Sequence, residues 1–299
     1  MKQVVSISLG SSKRDHAAEV NLMGKSFLVK RIGTDGDMKK MIRFIRENDG
    51  KVDAFGLGGM DLYIQAVNRR YTLREAVKVA KAARITPILD GSGLKNTLER
   101  RVIDFLSKET DILSGKKKAL VVSAMDRFGL AESLELAGCD MSYGDLVFVL
   151  NLPFPLKSLD TLAFIARIIV PVVRLLPFSM LYPTGKQQES SKPRYSRYFL
   201  DADIIAGDFH FIRRYMPEKL PGKIIITNTV TSDDIDMLRE KGVKKLITTT
   251  PEIEGRSFGT NVMEALLVAY SGNKGELQPE EYQFLLEELD FKPRILDLQ

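Results

Sequence analysis

Apolar and polar positions along the first hundred residues fall into short runs with two different spacings. The run at 4–10 predicts a strand, and residues 18–33 predict two further strands around a turn at 23–25. Residues 34–48 have the spacing of an amphipathic helix. This part of the chain is therefore predicted to be a mixed α/β unit with an antiparallel hairpin beside its first strand.

Short apolar runs, separated mostly by helix-like segments, fill the rest of the chain. They lie at 119–124, 145–150, 172–178, 203–207, 223–228 and 244–250. Continuous apolar strands are typical of a parallel sheet covered on both faces, because each strand is buried from above and below. We therefore predict an α/β protein of two domains. Residues 1–112 are expected to form a mixed α/β domain that binds the substrate, and residues 113–299 a doubly wound, mostly parallel Rossmann-like domain that binds a nucleotide.

The composition is that of a water-soluble globular protein. Of the 299 residues, 44% are hydrophobic and 28% are charged, and the formal net charge is only +5. Lysine and arginine are interleaved with nearly as many acidic residues, so the sequence predicts no dense basic face. Nucleic acid is therefore not expected as a partner.

Cysteine and histidine are scarce. The single cysteine, Cys139, excludes an intrachain disulfide, and two histidines are too few for a His-rich metal centre, so no metal site is predicted. The most apolar region, 159–183, carries three charges and three prolines, which favours buried elements over a membrane span. The start of the chain lacks the pattern of a signal peptide, and we expect a cytoplasmic protein without a membrane partner.

Loops that follow parallel strands are the expected ligand sites of such a fold. Ligands bind beyond the carboxyl ends of the strands, where helix N-termini present free N–H groups. The loops at 123–129, 227–234 and 249–261 are polar, and ordinary helix capping is the alternative interpretation of the last two. The candidate cofactor-binding residues are Ser123, Asp126, Arg127, Asn228, Thr229, Arg256, Gly259, Thr260 and Asn261.

A lysine and an aspartate beside a glycine turn are the candidate catalytic pair. A predicted strand ends at Asp90, two glycines allow a tight turn, and Lys95 follows at the start of a helix. A cation and a carboxylate in this place could grip a polyol or move a proton. Ordinary turn chemistry with an exposed lysine is the alternative.

The stretch GLGG at 56–59 is an incomplete dinucleotide motif. Phosphate binding in such a motif needs glycines for the turn, for the approach of the pyrophosphate and for helix packing. Residues 56–59 supply only part of that spacing, and a strand that ends in a glycine turn at the domain cleft is the favoured interpretation.

The chain resembles bacterial proteins labelled quinate or shikimate 5-dehydrogenase-like. The segments that carry the resemblance are VVSISLGSSKRDH, RIGTDGDM, DAFGLGGMDLY, DGSGLKNTLERRV and GRSFGTNVMEALL. The resemblance implies a substrate domain followed by a nicotinamide domain, with NAD or NADP as the cofactor and hydride transfer at a ring alcohol. A lysine and an aspartate contact the substrate in that family, and Lys95 and Asp90 are the nearest equivalents here.

The predicted function is therefore NAD(P)-dependent oxidation of a polyhydroxylated carboxylate such as quinate or shikimate. The expected partner is a small anionic or polyol ligand, and a homodimer is a candidate assembly. A non-catalytic ligand-binding or regulatory protein is one alternative. Another is an ATP-dependent sugar-kinase-like enzyme, whose magnesium would need a carboxylate such as Asp53 or Asp61.

Overall fold

The computed structural model describes residues 1–66, 69–149, 151–175, 193–250, 252–253 and 256–299. The strands are β1 (Lys2–Ser8), β2 (His16–Leu22), β3 (Lys25–Gly33), β4 (Ala54–Gly58), β5 (Tyr63–Ala66), β6 (Arg69–Thr72), β7 (Ile88–Leu89), β8 (Lys118–Val121), β9 (Asp140–Tyr143), β10 (Ile204–Gly207), β11 (Ile224–Thr227), β12 (Lys245–Thr248), β13 (Glu252–Ile253), β14 (Arg256–Ser257) and β15 (Arg294–Asp297). The α-helices are α1 (Met38–Asn48), α2 (Ala76–Ala80), α3 (Ser92–Glu109), α4 (Phe128–Leu136), α5 (Leu159–Val173), α6 (Ser196–Asp201), α7 (Phe209–Tyr215), α8 (Ser232–Glu240), α9 (Thr260–Ser271) and α10 (Pro279–Glu288).

The first sheet has the strand order β2-β3-β1-β4-β7. Strands β3, β1, β4 and β7 are parallel, and β2 runs antiparallel to β3. The hairpin between β2 and β3 turns at Met23 and Gly24, which both have positive φ angles. The predicted hairpin and the mixed character of this unit are confirmed.

The second sheet has the order β15-β12-β11-β10-β8-β9 and is parallel except for β15, which pairs antiparallel with β12. The chain passes from β8 to β9 on one side and then crosses to β10 on the other side of β8. The switch point of the sheet therefore lies between β8 and β10, where such a fold forms a crevice. The predicted α/β fold with a mostly parallel, Rossmann-like second sheet is confirmed.

Two of the predicted strands differ from the structure. Residues Asp145–Val149 form a short π-helix, and the strand that completes this edge is β9, just before it. Leu146, Val147 and Phe148 are all buried, and burial alone produces the same apolar run in a helix as in a strand. The run predicted at 172–178 begins inside α5, and its residues 176–178 lie outside the described part of the chain.

Helix α9 joins the two sheets. It packs on β4 and β1 of the first sheet, and Asn261 at its first turn donates from Nδ2 to Ser6 Oγ at 3.1 Å. One cluster of buried residues includes Val4 of the first sheet, Leu266 of α9 and Ile226 of the second sheet. The two sheets therefore share part of their core, and the division of the chain at residue 112 stays a prediction. In the described residues, no helix is long and apolar enough to cross a membrane.

Gly56 of the GLGG stretch and Gly91 after β7 allow α9 to pack this closely. A Cβ atom on Gly56 would lie 2.9 Å from the backbone oxygen of Asn261, and one on Gly91 would lie 2.8 Å from the backbone nitrogen of Asn261. Gly91 also has a φ of +93°, which favours glycine. The first turn of α9 thus sits directly on the backbone of β4 and of the turn after β7.

Replacement of Gly56 by alanine is expected to lower the free energy of unfolding by about 1 to 3 kcal/mol, because the new methyl group forces α9 away from β4. Urea unfolding measures the change. Gly275→Ala is the matched control, since no atom lies within 4 Å of the added Cβ. Equal stabilities of the two variants would contradict the role given to Gly56.

Candidate functional site

A cavity of about 500 Å³ lies between the carboxyl ends of the two sheets. The ends of β1, β4 and β7 form one wall, and the loops after β8, β10 and β11 form the other. Its volume falls within the range of about 300 to 1,000 Å³ that is typical of small-molecule sites. Both histidines of the chain, His16 and His210, line it from opposite walls.

Two arginines converge on the wall formed by the first sheet. A Cβ atom on Gly10 would lie 2.9 Å from Arg14 Nη2 and 3.0 Å from Arg31 Nη2, so both guanidinium groups face the space above this glycine. Arg31 is held in place through Nη1, which donates to Ser11 O and Asp15 Oδ1 at 3.0 Å each. Burial and the neighbouring charge of Arg14 lower the pKa of Arg31. Arg14 and Arg31 therefore bring two positive charges to this wall of the cavity, and Asp15 pairs with Arg31.

Lys95, in the helix that follows β7, lines the cavity and forms an ion pair with Asp126 of the loop after β8. Their Nζ and Oδ1 atoms are 2.9 Å apart, and both residues line the cavity. Burial would lower the pKa of Lys95, but Asp126 and Asp61 raise it above its ordinary value. Lys95 therefore remains a cation at neutral pH and donates to Asp126.

Behind this pair, Arg127 links α3 to the turn after β10. Its Nη1 donates to Glu99 Oε1, and its Nη2 lies 3.2 Å from Asp208 Oδ2. Arg127 is 3% exposed and Glu99 is 1% exposed. Burial raises the pKa of Glu99, and Arg127 opposes that rise. Burial alone would raise the pKa of Asp208 as well, but His210 and Arg127 lower it to about 2.

Asp90 is engaged in the turn that it begins. Its Oδ2 accepts from the amide of Leu62 at 2.5 Å, and its Oδ1 accepts from the amide and the hydroxyl of Ser92 at 2.9 and 2.6 Å. Asp90 lines the cavity, but the carboxylate that contacts Lys95 is that of Asp126. The catalytic roles of Lys95 and Asp90 stay predictions, with Asp126 as the structural partner of the lysine.

The structure brings together most of the residues predicted to bind a cofactor. Those that line the cavity are Asp126, Arg127, Asn228, Thr229, Gly259, Thr260 and Asn261. Ser123 is buried, at 5% exposure, and does not line the cavity. The side chain of Arg256 lies outside the described residues. The role of each residue in cofactor binding stays a prediction.

Several of these side chains form hydrogen bonds that connect one loop of the cavity wall to another. Asn228 donates to Asp208 Oδ2 at 2.9 Å and accepts from the amide of Phe209 at 3.2 Å. Thr229 donates to the backbone oxygen of Phe258 at 3.1 Å. These hydrogen bonds hold the cavity wall together, and fewer polar groups are left to contact a ligand.

The turn after β8 does not fit a dinucleotide. A Rossmann-like sheet binds pyrophosphate through the backbone amides of this turn. Here the amides of Ala124 and Met125 donate to the Asp145 carboxylate at 3.0 and 2.9 Å. Burial raises the pKa of Asp145 to about 6, while these amides lower it. At neutral pH the carboxylate is thus mostly ionised, and the two amides of this turn are used inside the protein.

Sequence reasoning missed Arg31, and it included Asp208 in the candidate loop at 207–211 without singling it out. Arg31 lies on β3, whose direction follows that of β1, so its carboxyl end also reaches the cavity. Asp208 lies in the loop after β10, where the rule for parallel strands predicts ligand contacts but does not indicate an ion pair with Arg127. The predicted hairpin was the signal that could have indicated that Arg31 lies near the cavity.

The carboxylates suggested for a kinase do not form a magnesium site in the described residues. Asp53 precedes β4, at the end of the strand away from the cavity, and accepts from the amide of Gln3 at 2.7 Å. Asp61 lines the cavity near Lys95. Within the part of the chain that the structure describes, no group of three or more side chains could hold a metal ion.

Comparisons with solved structures give remote matches. A galactofuranose binding protein is 14% identical, with a TM-score of 0.37, and the match covers 97% of this chain and 99% of that one. L-tryptophan dehydrogenase from Nostoc punctiforme is 12% identical, with a TM-score of 0.38 and coverages of 97% and 79%. The malic enzyme of Entamoeba histolytica is 10% identical, with a TM-score of 0.42 and coverages of 96% and 61%. Likeness at this level carries no conclusion about the function of the chain.

Comparisons of the sequence with protein families give two adjacent matches, whereas no curated protein matches. Residues 3–90 match the family described as Domain of unknown function (DUF8753), which covers the first sheet. Residues 93–298 match the family described as Domain of unknown function (DUF8754), which covers most of the chain, from α3 to the end of the second sheet. The chain therefore belongs to the DUF8754 family.

Proposed function

We propose that the protein binds a small polyhydroxylated carboxylate, of the class that includes quinate and shikimate, in the cavity between the two sheets. The observation that carries the proposal is the convergence of Arg14 and Arg31 on the space above Gly10. Two like charges held this close are stabilised by an anion between them. A guanidinium group also binds a carboxylate through two parallel N–H donors.

The ion pair of Lys95 and Asp126 supplies partners for hydroxyl groups. Lys95 offers N–H donors and Asp126 offers acceptor oxygens, so the pair can donate to a hydroxyl oxygen and accept its proton. A ring acid with several hydroxyls presents both kinds of group to such a pair. The resemblance of the sequence to quinate or shikimate 5-dehydrogenase-like proteins supports the same class of ligand.

From that resemblance we also propose that the ligand is oxidised with NAD or NADP in the cytoplasm. The amides after β8 are held by Asp145, so the residues present do not fit the cofactor at the turn where its phosphates are expected. The proposal is therefore limited to binding. Incubation with quinate and NADP, followed by the absorbance of the reduced nicotinamide, tests the oxidation separately.

Replacement of Arg31 by glutamine is expected to weaken the binding of quinate by about 10- to 100-fold, the value of one lost hydrogen bond to a charged group. Isothermal titration calorimetry measures the dissociation constants. The affinity for inositol, a neutral polyol, should stay weak in both proteins, because it presents no anion to the arginine wall.

Arg43→Gln is the matched control, since Arg43 is exposed on α1, away from the cavity-lining residues. It should bind quinate as the wild type does. Melting temperatures without ligand verify that each variant is folded. The proposal is contradicted if quinate, shikimate and inorganic phosphate all fail to bind the folded wild type, or if Arg31→Gln binds quinate unchanged.

A further inference from the structure

The turn between β8 and α4 already contains an anion. Asp145 Oδ2 accepts from the amide of Ala124 at 3.0 Å, and Asp145 Oδ1 accepts from the amide of Met125 at 2.9 Å. The side chain is 2% exposed. Each oxygen of the carboxylate therefore has its own backbone donor within a site closed to water.

These two amides stand where the fold binds phosphate. The turn follows the first strand of the parallel sheet, and the switch point lies between that strand, β8, and β10. In a dinucleotide-binding sheet the amides of this turn approach the pyrophosphate. Such a turn needs free N–H groups, and here the carboxylate of Asp145 uses them.

The segment that carries Asp145 is fixed in place. Leu146, Val147 and Phe148 after it are buried, and the rings of Phe148 and Phe199 have their centroids 5.3 Å apart. A Cβ atom on Gly144, just before it, would lie 3.0 Å from Val122 O, so the backbone packs closely against the end of β8. The carboxylate cannot leave the turn without disrupting this packing.

We infer that Asp145 is a built-in occupant of the phosphate position, so that the turn after β8 binds no nucleotide phosphate. The cationic partners of an anionic cavity ligand must then come from the first sheet. The inference itself does not depend on the ligand proposed for the cavity, because it concerns a turn whose donors are internal.

Removal of the carboxylate should turn the site into one for a small external anion. We expect Asp145→Ala to melt below the wild type, and sodium formate at several hundred millimolar to raise its melting temperature by about 2 to 4 °C over equal sodium chloride. Formate has the size of the deleted group and can accept from both amides. The wild type should show no such gain, because its own carboxylate fills the turn.

Asp140→Ala is the matched control, since Asp140 is an exposed aspartate at the start of the neighbouring strand β9. It should show no gain from formate. An equal response of Asp145→Ala and Asp140→Ala to formate would overturn the inference. So would a rise in the melting temperature of the wild type with ADP-ribose, the part of both nicotinamide cofactors that carries the pyrophosphate.

Asp145→Asn covers the case in which the alanine variant does not fold. Its side chain has the same shape, but its NH₂ group meets one of the two amide N–H groups as a second donor. We expect a melting temperature below that of the wild type and no gain from formate, because no space is opened. A melting temperature equal to that of the wild type would overturn the inference.

Discussion

Replacement of Arg127 by methionine is expected to lower the free energy of unfolding by about 3 to 5 kcal/mol, the cost of leaving a buried charge without its partner. Arg127 is 3% exposed, donates to Glu99 and lies 3.2 Å from Asp208. Methionine fills much of the same space, so the loss comes mainly from the missing charge. Denaturant unfolding at neutral pH measures it.

A second change separates the charge effect from loss of packing. The double variant Glu99→Gln with Arg127→Met should recover most of the loss, because Glu99 is the carboxylate left without compensation. Asp208 keeps its hydrogen bonds from the amide of His210 and from Asn228. If the double variant is no more stable than Arg127→Met, the ion pair is not the cause of the loss.

Arg239→Met provides the scale for an ordinary surface pair. Arg239 and Asp236 are both more than half exposed, and their ion pair spans three residues of one helix. Such pairs contribute about 0 to 1 kcal/mol. A much larger loss for Arg127→Met than for Arg239→Met would show that burial, rather than the number of ion pairs, sets the stability of the cavity wall.

The fold was largely predictable because parallel strands that are covered on both faces leave continuous apolar runs. The runs that became β8, β10, β11 and β12 are short, apolar and separated by helices, so periodicity and length both favour strands. The run at 145–150 was wrongly predicted to be a strand, because its apolar side chains are equally buried in a helical turn. No local signal separates the two cases when the first residue, Asp145, is fixed by contacts with a distant turn.

The location of the candidate site was predictable, but its pairings were not. The rule that ligands bind at the carboxyl ends of parallel strands places Lys95, Asp126 and Asn228 near one another. It cannot indicate that Lys95 pairs with Asp126 rather than with Asp90, because Asp90 is satisfied by the local turn and Asp126 approaches through the packing of α4 on α3. Such pairings depend on angles between elements, which the sequence pattern does not contain.

Glu264 should make the stability of the protein depend on pH between about 5 and 8. This residue of α9 is 1% exposed, and its oxygens accept from the Gly91 amide at 2.6 Å and the Tyr282 hydroxyl at 2.7 Å. Burial, together with the carboxylates of Asp90 and Glu276, raises its pKa from 4.5 to about 8. The folded protein thus keeps a proton that the unfolded chain releases near pH 4.5.

The sign of the effect follows from that difference. Well below pH 4.5 Glu264 is protonated in both states and does not change the free energy of unfolding. Between pH 4.5 and 8 only the unfolded state ionises, so the free energy of unfolding falls as the pH rises. Each pKa difference of one is worth about 1.4 kcal/mol, so the full cost approaches about 5 kcal/mol above pH 8. Glu264→Gln cannot ionise in either state, so its stability relative to the wild type should already rise by pH 5 and should keep rising up to about pH 8.

Urea unfolding of both proteins from pH 5 to 9 measures this gap, with Glu288→Gln, an exposed carboxylate at the end of α10, as the control. The control should follow the wild type at every pH. Parallel curves for Glu264→Gln and the wild type would show that Glu264 ionises equally in both states. A gap that opens with pH would instead show that the turn after β7, which carries Asp90 to the cavity, is held by a protonated carboxyl group at neutral pH.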